Sequence, residues 1–575
     1  MAEQRNRIDL ARDDLARWQS EKPDNYWEAD PNIRDVLRMH MGARYDAQLE
    51  ALRATGAEAA TAIDALARLS NRDENLPLLD TYDGIGRRVD EVRFHPSYHA
   101  LGEKLWATGV LAALGEPGGE VACGARGYLL AHNGEAGHLC PVACTAGLIK
   151  LLQQVGSVAQ RERYLGRLLS TDYAERLHAS QFVTEVQGGS DVGANDTMAT
   201  PDPERPGMYR LSGEKWFCSV ADANVFVVTA RLADGPDGTA GLGLFIVPRH
   251  VDGELNGFSI RRLKYKLGTR SMASGEIDFR GALAEPVGDL SRGFKTLVSV
   301  VLDTSRVQNA VVTAGVMRRA YVEAQTFARA RRAFGRPIIE HAMVQQTLAR
   351  MRVMTSAAVA STFRIMAITD RLAAGEGGDD LAAARRTHVN INKYWTSLWC
   401  TRVVRDGIEV LGGNGAIEEF SVLPRLYRDS IVLESWEGTH NTLCAQVLRD
   451  FAQRKLHQPW LREVEAALAA VSAEHVGAHH ARAKTLLADV SARIERLLTF
   501  DAAHATLYVR HVVDQMCLLQ GYSALLLELS WQSEQGIASD KALLVELYRR
   551  LFIDEGDPME QLDLPELYRR ASAQL

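Results

Sequence analysis

The spacing of apolar residues changes twice along this chain, and those two changes constrain the fold more than any motif does. From about residue 30 to 180 apolar residues recur at three and four, as in NIRDVLRMHMGARYDAQLEALRATG and HALGEKLWATGVLAAL, with Gly or Pro between segments, so this stretch reads as all helix. From about 180 to 288 the period moves towards two, in GMYRLSGEKWFCSV, ANVFVVTARL, GLGLFIVPR and SGEIDFRGALAEPVG, which are separated by the turn-rich TPDPERPG and LADGPDGTAG. From Ser291 the helical period returns in long alanine-rich segments such as TSRVQNAVVTAGVMRRAYVEAQTFARARRAF, and long helices with short joints make a bundle. Beyond about residue 450, WLREVEAALAAVSAEHV and AHHARAKTLLADVSARIERLLTF add more helix. The expected class is α+β, mostly α, with a helical domain at 1–179, a β domain at 180–288, a helical bundle at 289–450 and an additional helical domain at 451–575.

A chain of 575 residues exceeds a single core and fits roughly three to four domains. A hydrophobic content of 46% with 24% charged residues is that of a soluble globular protein. The net charge of −7 gives no general attraction for polyphosphate, so a nucleic-acid partner would need a local basic patch. Seven scattered cysteines without a C-x-x-C pair read as reduced, intracellular core residues. Cys140 and Cys144 could share a helix face, but two soft ligands do not make a zinc site, and packing is the expected role. The opening MAEQRNRIDLARDDLARW lacks the apolar core of a signal peptide, and no apolar run reaches the ~18 residues of a membrane span. A cytoplasmic location is expected.

Three segments could carry chemistry. In FVTEVQGGSDVGAND, Gly188, Gly189 and Ser190 allow a tight turn whose N–H groups can converge on an anion, with hydroxyls from Thr184 and Ser190; a plain turn explains the segment too, and on spacing alone it is the favoured reading. In EVLGGNGAIEEF, Gly412, Gly413 and Gly415 permit close approach of a phosphate or form a helix C-cap, and the helical segment before them excludes a Rossmann fingerprint. In ARRAFGRPIIEH, Arg331 and Arg332 beside Phe334 and Gly335 suit a pyrophosphate grip or a basic helix end. His475 and His479 are spaced one helical turn apart without the acid of H-E-x-x-H, and read as a surface helix face. No nucleophile elbow, P-loop or three-ligand metal pattern is present.

Together, in this order and around a helix–β–helix layout, these segments resemble the acyl-CoA dehydrogenase family of flavoenzymes over roughly residues 80 to 450. RRVDEVRFHPSYH, TEVQGGSD, GEKWFCSV, LPRLYRD and WEGTHN, with the extra C-terminal helices, look most like its AidB-type, alkylation-response branch. The resemblance implies a middle β-barrel or sandwich domain, a C-terminal four-helix bundle, an appended helical domain and FAD as cofactor. It also gives Glu437, in WEGTHN, a role: the matching glutamate removes a proton from the carbon beside the thioester carbonyl, and the β hydrogen leaves as hydride to the flavin. Such a base must touch a weakly acidic C–H while donors stabilise the carbonyl oxygen, and a buried glutamate beside Trp436 is expected to have its pKa raised towards working pH. Glu434 lies outside the motif and reads as a solvated or helix-pairing acid.

By the same resemblance, Val183, Thr184, Gly189 and Ser190 contact the flavin and its phosphates, and Ser190 also faces substrate. Phe217 and Ser219 match the strand behind the isoalloxazine ring; Phe217 stands where many relatives have tryptophan. Arg331 and Phe334 match residues that reach the flavin of a neighbouring subunit. Gly412, Gly413 and Gly415 match the turn near its pyrophosphate, and Thr439 and Asn441 face the cofactor. Arg306, in LDTSR, matches an arginine close to the substrate, and no acid stands two residues before it, so Glu437 is the sole candidate base. Glu409 and Ala342 replace glutamines of many relatives, which puts contacts to the adenylate half in doubt.

The implied partners are an acyl-CoA substrate, an electron acceptor such as an electron-transfer flavoprotein, and further copies in a homotetramer. The AidB-type branch is associated with DNA binding through a basic C-terminal region. Phe451 to Leu575 carries 13 Lys+Arg against 17 Asp+Glu, which does not favour phosphate contact, so DNA association is the lesser alternative. A non-catalytic fatty acyl-CoA sensor is the other rival.

Overall fold

The computed structural model describes residues 6–554 and 556–575. Grouped by contact, the chain forms two compact units, each discontinuous in sequence: Ala62–Gly119 with Glu135–Gln308, and Met1–Thr61 with Glu120–Gly134 and Asn309–Leu575.

The first unit holds the sheet. Strands β1 (Leu78–Tyr82) and β2 (Arg88–Arg93) form an antiparallel hairpin inside the region whose sequence reads as all helix, and that reading is corrected here. The helical period failed because both strands are short and largely solvent-facing; the YDGIGRR turn between them was the available signal. The Arg88 guanidinium bonds the buried Asp90 carboxylate at 2.8 Å and the Ile260 carbonyl at 2.9 Å, which ties the hairpin to the main sheet.

That sheet comprises β3 (Ala179–Phe182), β4 (Met198–Pro201), β5 (Tyr209–Ser219), β6 (Val225–Leu232) and β7 (Leu242–Pro248), then, after the small hairpin β8 (His250–Val251) and β9 (Glu254–Leu255), β10 (Phe258–Leu263) and β11 (Ser274–Pro286). Its pairing closes on itself: β11, β5, β4, β6 and β7 form a ring, because β7 pairs both β6 and β11, while β10 and β3 add to it at β11 and β6. A closed ring leaves few edges exposed. Its filling is visible in VFVVTA and LGLFIV, where every residue is buried and side chains of the Phe226 or Ile246 kind contribute roughly 1.5–3 kcal/mol each. In the helix Ala136–Val155 of this unit, Cys140 and Cys144 are buried with their sulfurs 4.0 Å apart, as packing residues. Among the described residues no group of three or more His, Cys, Asp or Glu side chains could hold a metal.

The second unit is helical. Long helices Asp303–Ala330 (from Asn309 on in this unit), Ala342–Ala373 and Gly378–Leu411 follow from alanine-rich sequence without internal proline, and Leu423–Ser435 and His440–Arg454 pack on the last of them. The C-terminal helices Ala502–Glu534 and Leu564–Ser572 lie directly on Ala342–Ala373. Residues from the chain's first forty join the same body: Trp18 Nε1 donates to Thr326 Oγ1 at 3.1 Å, Lys22 pairs with the buried Glu323 at 2.9 Å, Asp30 with Arg318 at 3.3 Å, and Lys541 donates to Asn32 Oδ1 at 2.5 Å. His475 and His479 do not share a helix. Gly477, at φ +57°, ends Ala473–Val476 and opens Ala478–Leu498, and His479 Nδ1 meets Tyr522 Oη at 2.8 Å. No described helix is long and apolar enough to cross a membrane.

Candidate functional site

The sequence-predicted site residues divide between the units. Val183, Thr184, Gly189, Ser190, Phe217, Ser219 and Arg306 lie in the sheet unit; Arg331, Phe334, Gly412, Gly413, Gly415, Glu437, Thr439 and Asn441 lie in the helical one.

In the sheet unit, β3 runs into a tight turn in which Glu185 and Gly188 exchange backbone hydrogen bonds of 3.1 and 3.2 Å. The turn is held from beneath by a buried ion pair, Lys215 Nζ to Glu185 Oε1 at 2.6 Å. Lys215 also donates to the Val183 carbonyl, as does Asn195, and the other Glu185 oxygen accepts the Asp196 N–H at 2.6 Å. Burial pushes the Lys215 ammonium down while Glu185 draws it back; for Glu185 burial acts upward, but the ammonium and the hydrogen bonds prevail and hold the carboxyl below its usual range. Breaking such a pair costs about 3–5 kcal/mol, which makes it the rigid floor of the segment. Thr184 is half-buried, Gly189 and Ser190 are exposed, and the Thr184 carbonyl accepts the Trp216 N–H at 2.9 Å, so strand β5 lies alongside.

β5 carries a bulge there. Gly275 and Ile277 of β11 pair with Cys218 and Lys215, so Trp216 and Phe217 together oppose one residue. The bulge turns Lys215 and Cys218 into the core and leaves the Phe217 ring 56% exposed, with Ser219 half-buried beyond it. Lys264, itself paired with Glu276 at 2.7 Å, lies 3.4 Å over the Trp216 ring and 5.0 Å over that of Phe217. Arg306 is buried.

In the helical unit, helix Leu423–Ser435 ends at Trp436, whose indole N–H donates to Asn309 Oδ1 at 2.6 Å. Glu437 follows at φ +57°, a left-handed conformation that costs a residue with a Cβ about 1–2 kcal/mol. Gly438, at φ +105°, and the N-cap Thr439 then start helix His440–Arg454, with Asn441 exposed in its first turn. Glu437 is half-buried, not enclosed as its sequence context suggested. Of the two readings of Glu434, helix pairing holds and solvation does not: it accepts a hydrogen bond from Thr401 Oγ1 of Gly378–Leu411 and lies 3.7 Å from His440 Nε2 of the next helix. Burial, reinforced by the positive charges of Lys393, Arg510 and Arg402, lowers His440 to about 4, so its ring is neutral at pH 7. Lys393, fully buried in the middle of Gly378–Leu411, was not singled out by the sequence; a lysine among the apolar residues of a long helix was its one signal.

Gly412 caps that same helix at φ +61°, and Gly412–Ala416 forms a short 3-10 turn packed on Leu423–Ser435. Space is open where side chains on Gly412 and Gly413 would stand, whereas a Cβ on Gly415 would come 2.7 Å from the Ile408 carbonyl oxygen. Arg331 is half-buried at the end of Asp303–Ala330, and a two-residue hairpin loop follows it: Phe334 at φ +52° and Gly335 at φ +85°, with the Phe334 ring 96% exposed.

Comparison with known proteins gives three consecutive family matches: the adaptive response protein AidB N-terminal domain over residues 19–175, the acyl-CoA dehydrogenase middle domain over 180–282 and the acyl-CoA dehydrogenase C-terminal domain over 291–451. AidB of Escherichia coli K12 is 36% identical over 397 residues, covering 67% of this chain and 70% of that protein. Acyl-CoA dehydrogenase family member 11 of Caenorhabditis elegans is 31% identical over 447 residues, covering 75% and 71%. The crystal structure of C. elegans ACDH-11 in complex with C11-CoA superposes with a TM-score of 0.83 at 27% identity, over 92% of this chain and 91% of that one. With its middle and C-terminal domains matched in order and an AidB-type domain before them, the chain belongs to the acyl-CoA dehydrogenase family.

Proposed function

We propose that the protein is an FAD-dependent acyl-CoA dehydrogenase in which Glu437 is the base. The reading is carried by the Glu437 turn: a carboxylate held at positive φ between two helix ends, half-buried, at the position where the family has its proton acceptor. Strain of this kind persists only where surrounding structure imposes it, and it concentrates at working sites.

Taken unit by unit, the residues suit FAD in their chemistry. In the sheet unit, exposed Gly189 and the hydroxyls of Thr184 and Ser190 flank the Glu185–Gly188 turn above its ion pair, and Phe217 presents a largely exposed ring; in the helical unit, Gly412 and Gly413 leave room for a phosphate group to approach backbone. Val183, Thr184, Gly189, Ser190, Phe217 and Ser219 of the sheet unit are proposed as FAD contacts, and so, separately, are Gly412, Gly413, Gly415, Thr439 and Asn441 of the helical unit; Arg331 and Phe334 are proposed to reach the FAD of a neighbour in a homotetramer. Bound FAD supplies the acceptor for the hydride that leaves the β carbon. Glu437 takes the α proton onto its carboxylate, so that one proton and one hydride leave and a trans-enoyl thioester remains. Arg306 and Ser190 orient the substrate, for which an acyl-CoA is supported by the C11-CoA of the C. elegans neighbour. An electron-transfer flavoprotein is the proposed next acceptor.

Anaerobic addition of acyl-CoA thioesters of graded chain length to the FAD-loaded protein tests this. Bleaching of the flavin band is expected with at least one chain length, and Glu437→Gln should still bind that thioester while bleaching falls by roughly 10²-fold or more. Undiminished bleaching in Glu437→Gln would remove Glu437 from the role, and binding without bleaching in the parent protein would make it a carrier.

A further inference from the structure

We infer that Lys393 is a positioning residue for Glu437, a cation built into the bundle to hold the carboxylate's turn in its strained shape; the inference rests on the reading of Glu437 as the base. Lys393 is 0% exposed and sits midway along Gly378–Leu411, where an ammonium loses its hydration and must be repaid in hydrogen bonds. Two of those bonds go to backbone carbonyls on either side of Glu437: Nζ to the Glu434 oxygen at 2.9 Å and Nζ to the Gly438 oxygen at 2.9 Å.

The Glu434 carbonyl belongs to the last turn of Leu423–Ser435, where four carbonyls lack partners within the helix. The Gly438 carbonyl lies beyond the helix end, one residue past Glu437. One ammonium therefore gathers both carbonyls, and the backbone between them must loop back on itself. Glu437 lies inside that loop, at φ +57°. The indole hydrogen bond from Trp436 to Asn309 fixes the same loop at a second point. Thr401 donates to the Glu434 side chain, and Lys393 brings a positive charge beneath the loop, where Arg510 and Arg402 also act on the neutral His440. A base displaced by about 1 Å from its reacting C–H loses on the order of 10²-fold in rate without losing substrate affinity, which makes orientation separable from binding.

The test compares Lys393→Met with the parent and with Glu437→Gln in the FAD-loaded protein. Lys393→Met is expected to bind acyl-CoA within about twofold of the parent, to bleach roughly ten- to a hundredfold more slowly, to shift the pH midpoint of bleaching, and to exchange its amide hydrogens faster across residues 434–439 than elsewhere. Lys393→Arg, which keeps charge and donors, should recover part of the rate. If Lys393→Met does not accumulate as folded protein, Lys393→Gln, with a donor on a shorter stem, takes its place with the same readings. Parent-like bleaching rate and pH midpoint, or unchanged exchange across 434–439, overturns the inference while leaving Glu437 as base; parent-like bleaching in Glu437→Gln overturns the reading beneath it.

Discussion

Glu437 carries opposing demands: the proposed chemistry needs a carboxylate there, and the backbone there favours glycine. Replacement by glycine relieves the positive-φ strain and is expected to raise stability by about 1 kcal/mol in urea unfolding while abolishing bleaching. A Glu437→Gly protein less stable than the parent would mean that the side chain's own contacts outweigh the strain. Gly415 shows the reverse case, since a methyl group would stand 2.7 Å from the Ile408 carbonyl oxygen and 2.9 Å from its Cα; Gly415→Ala should cost roughly 1–3 kcal/mol. At this scale the sequence spoke unevenly. WEGTHN pointed to Glu437, but nothing in the letters marks its left-handed backbone, because that is imposed by groups over forty positions away. Lys393 and Lys215 read as ordinary lysines for the same reason: the partners that justify their burial are brought to them only by folding.

Between elements, helix His457–Ala469 is fastened to the bundle by a buried charge network. Glu463 takes two hydrogen bonds from Arg364, at 2.7 and 2.8 Å, and lies 2.7 Å from His388 Nε2. Burial alone would raise its pKa, but Arg364 and then His388 overcome that and bring it to about 2. A folded pKa below the unfolded one stabilises the fold above the unfolded value, near 4.5, and that contribution is lost as pH falls towards about 2. Glu463→Gln is therefore expected to destabilise by roughly 3 kcal/mol at pH 7 and to narrow its deficit between pH 4.5 and 2, as measured by urea unfolding across that range. A deficit that does not change with pH would refute the charge assignment. Elements were most legible where one environment covers a whole segment. The largely apolar β6 and β7 announced themselves, whereas the β1–β2 hairpin, half in solvent and rich in arginine and acid, gave no clear alternating signal.

For the assembled protein, the exposed Phe334 at the tip of its two-residue loop bears on the proposed homotetramer. If that ring and Arg331 complete a neighbour's cofactor site, diluting the holoprotein through subunit dissociation should release FAD in step, seen as rising flavin fluorescence alongside sedimentation velocity. Phe334→Ala should speed the release with little change in melting temperature, because the ring adds nothing to its own chain's core. FAD release independent of concentration would argue for sites complete within one chain.

The mixed ancestry of the helical unit has a consequence for biosynthesis. Trp18, Lys22 and Asp30 find their partners at Thr326, Glu323 and Arg318, Asn32 finds Lys541, and Tyr321 Oη reaches the Gln574 carbonyl. On the ribosome, Trp18, Lys22 and Asp30 thus wait for their partners until the chain has passed residue 326, and Asn32 until Lys541 is made, while the barrel, encoded between them, can close before either. Chaperone dependence should fall on the opening segment, and a polypeptide stopped after the barrel would leave that segment without a home.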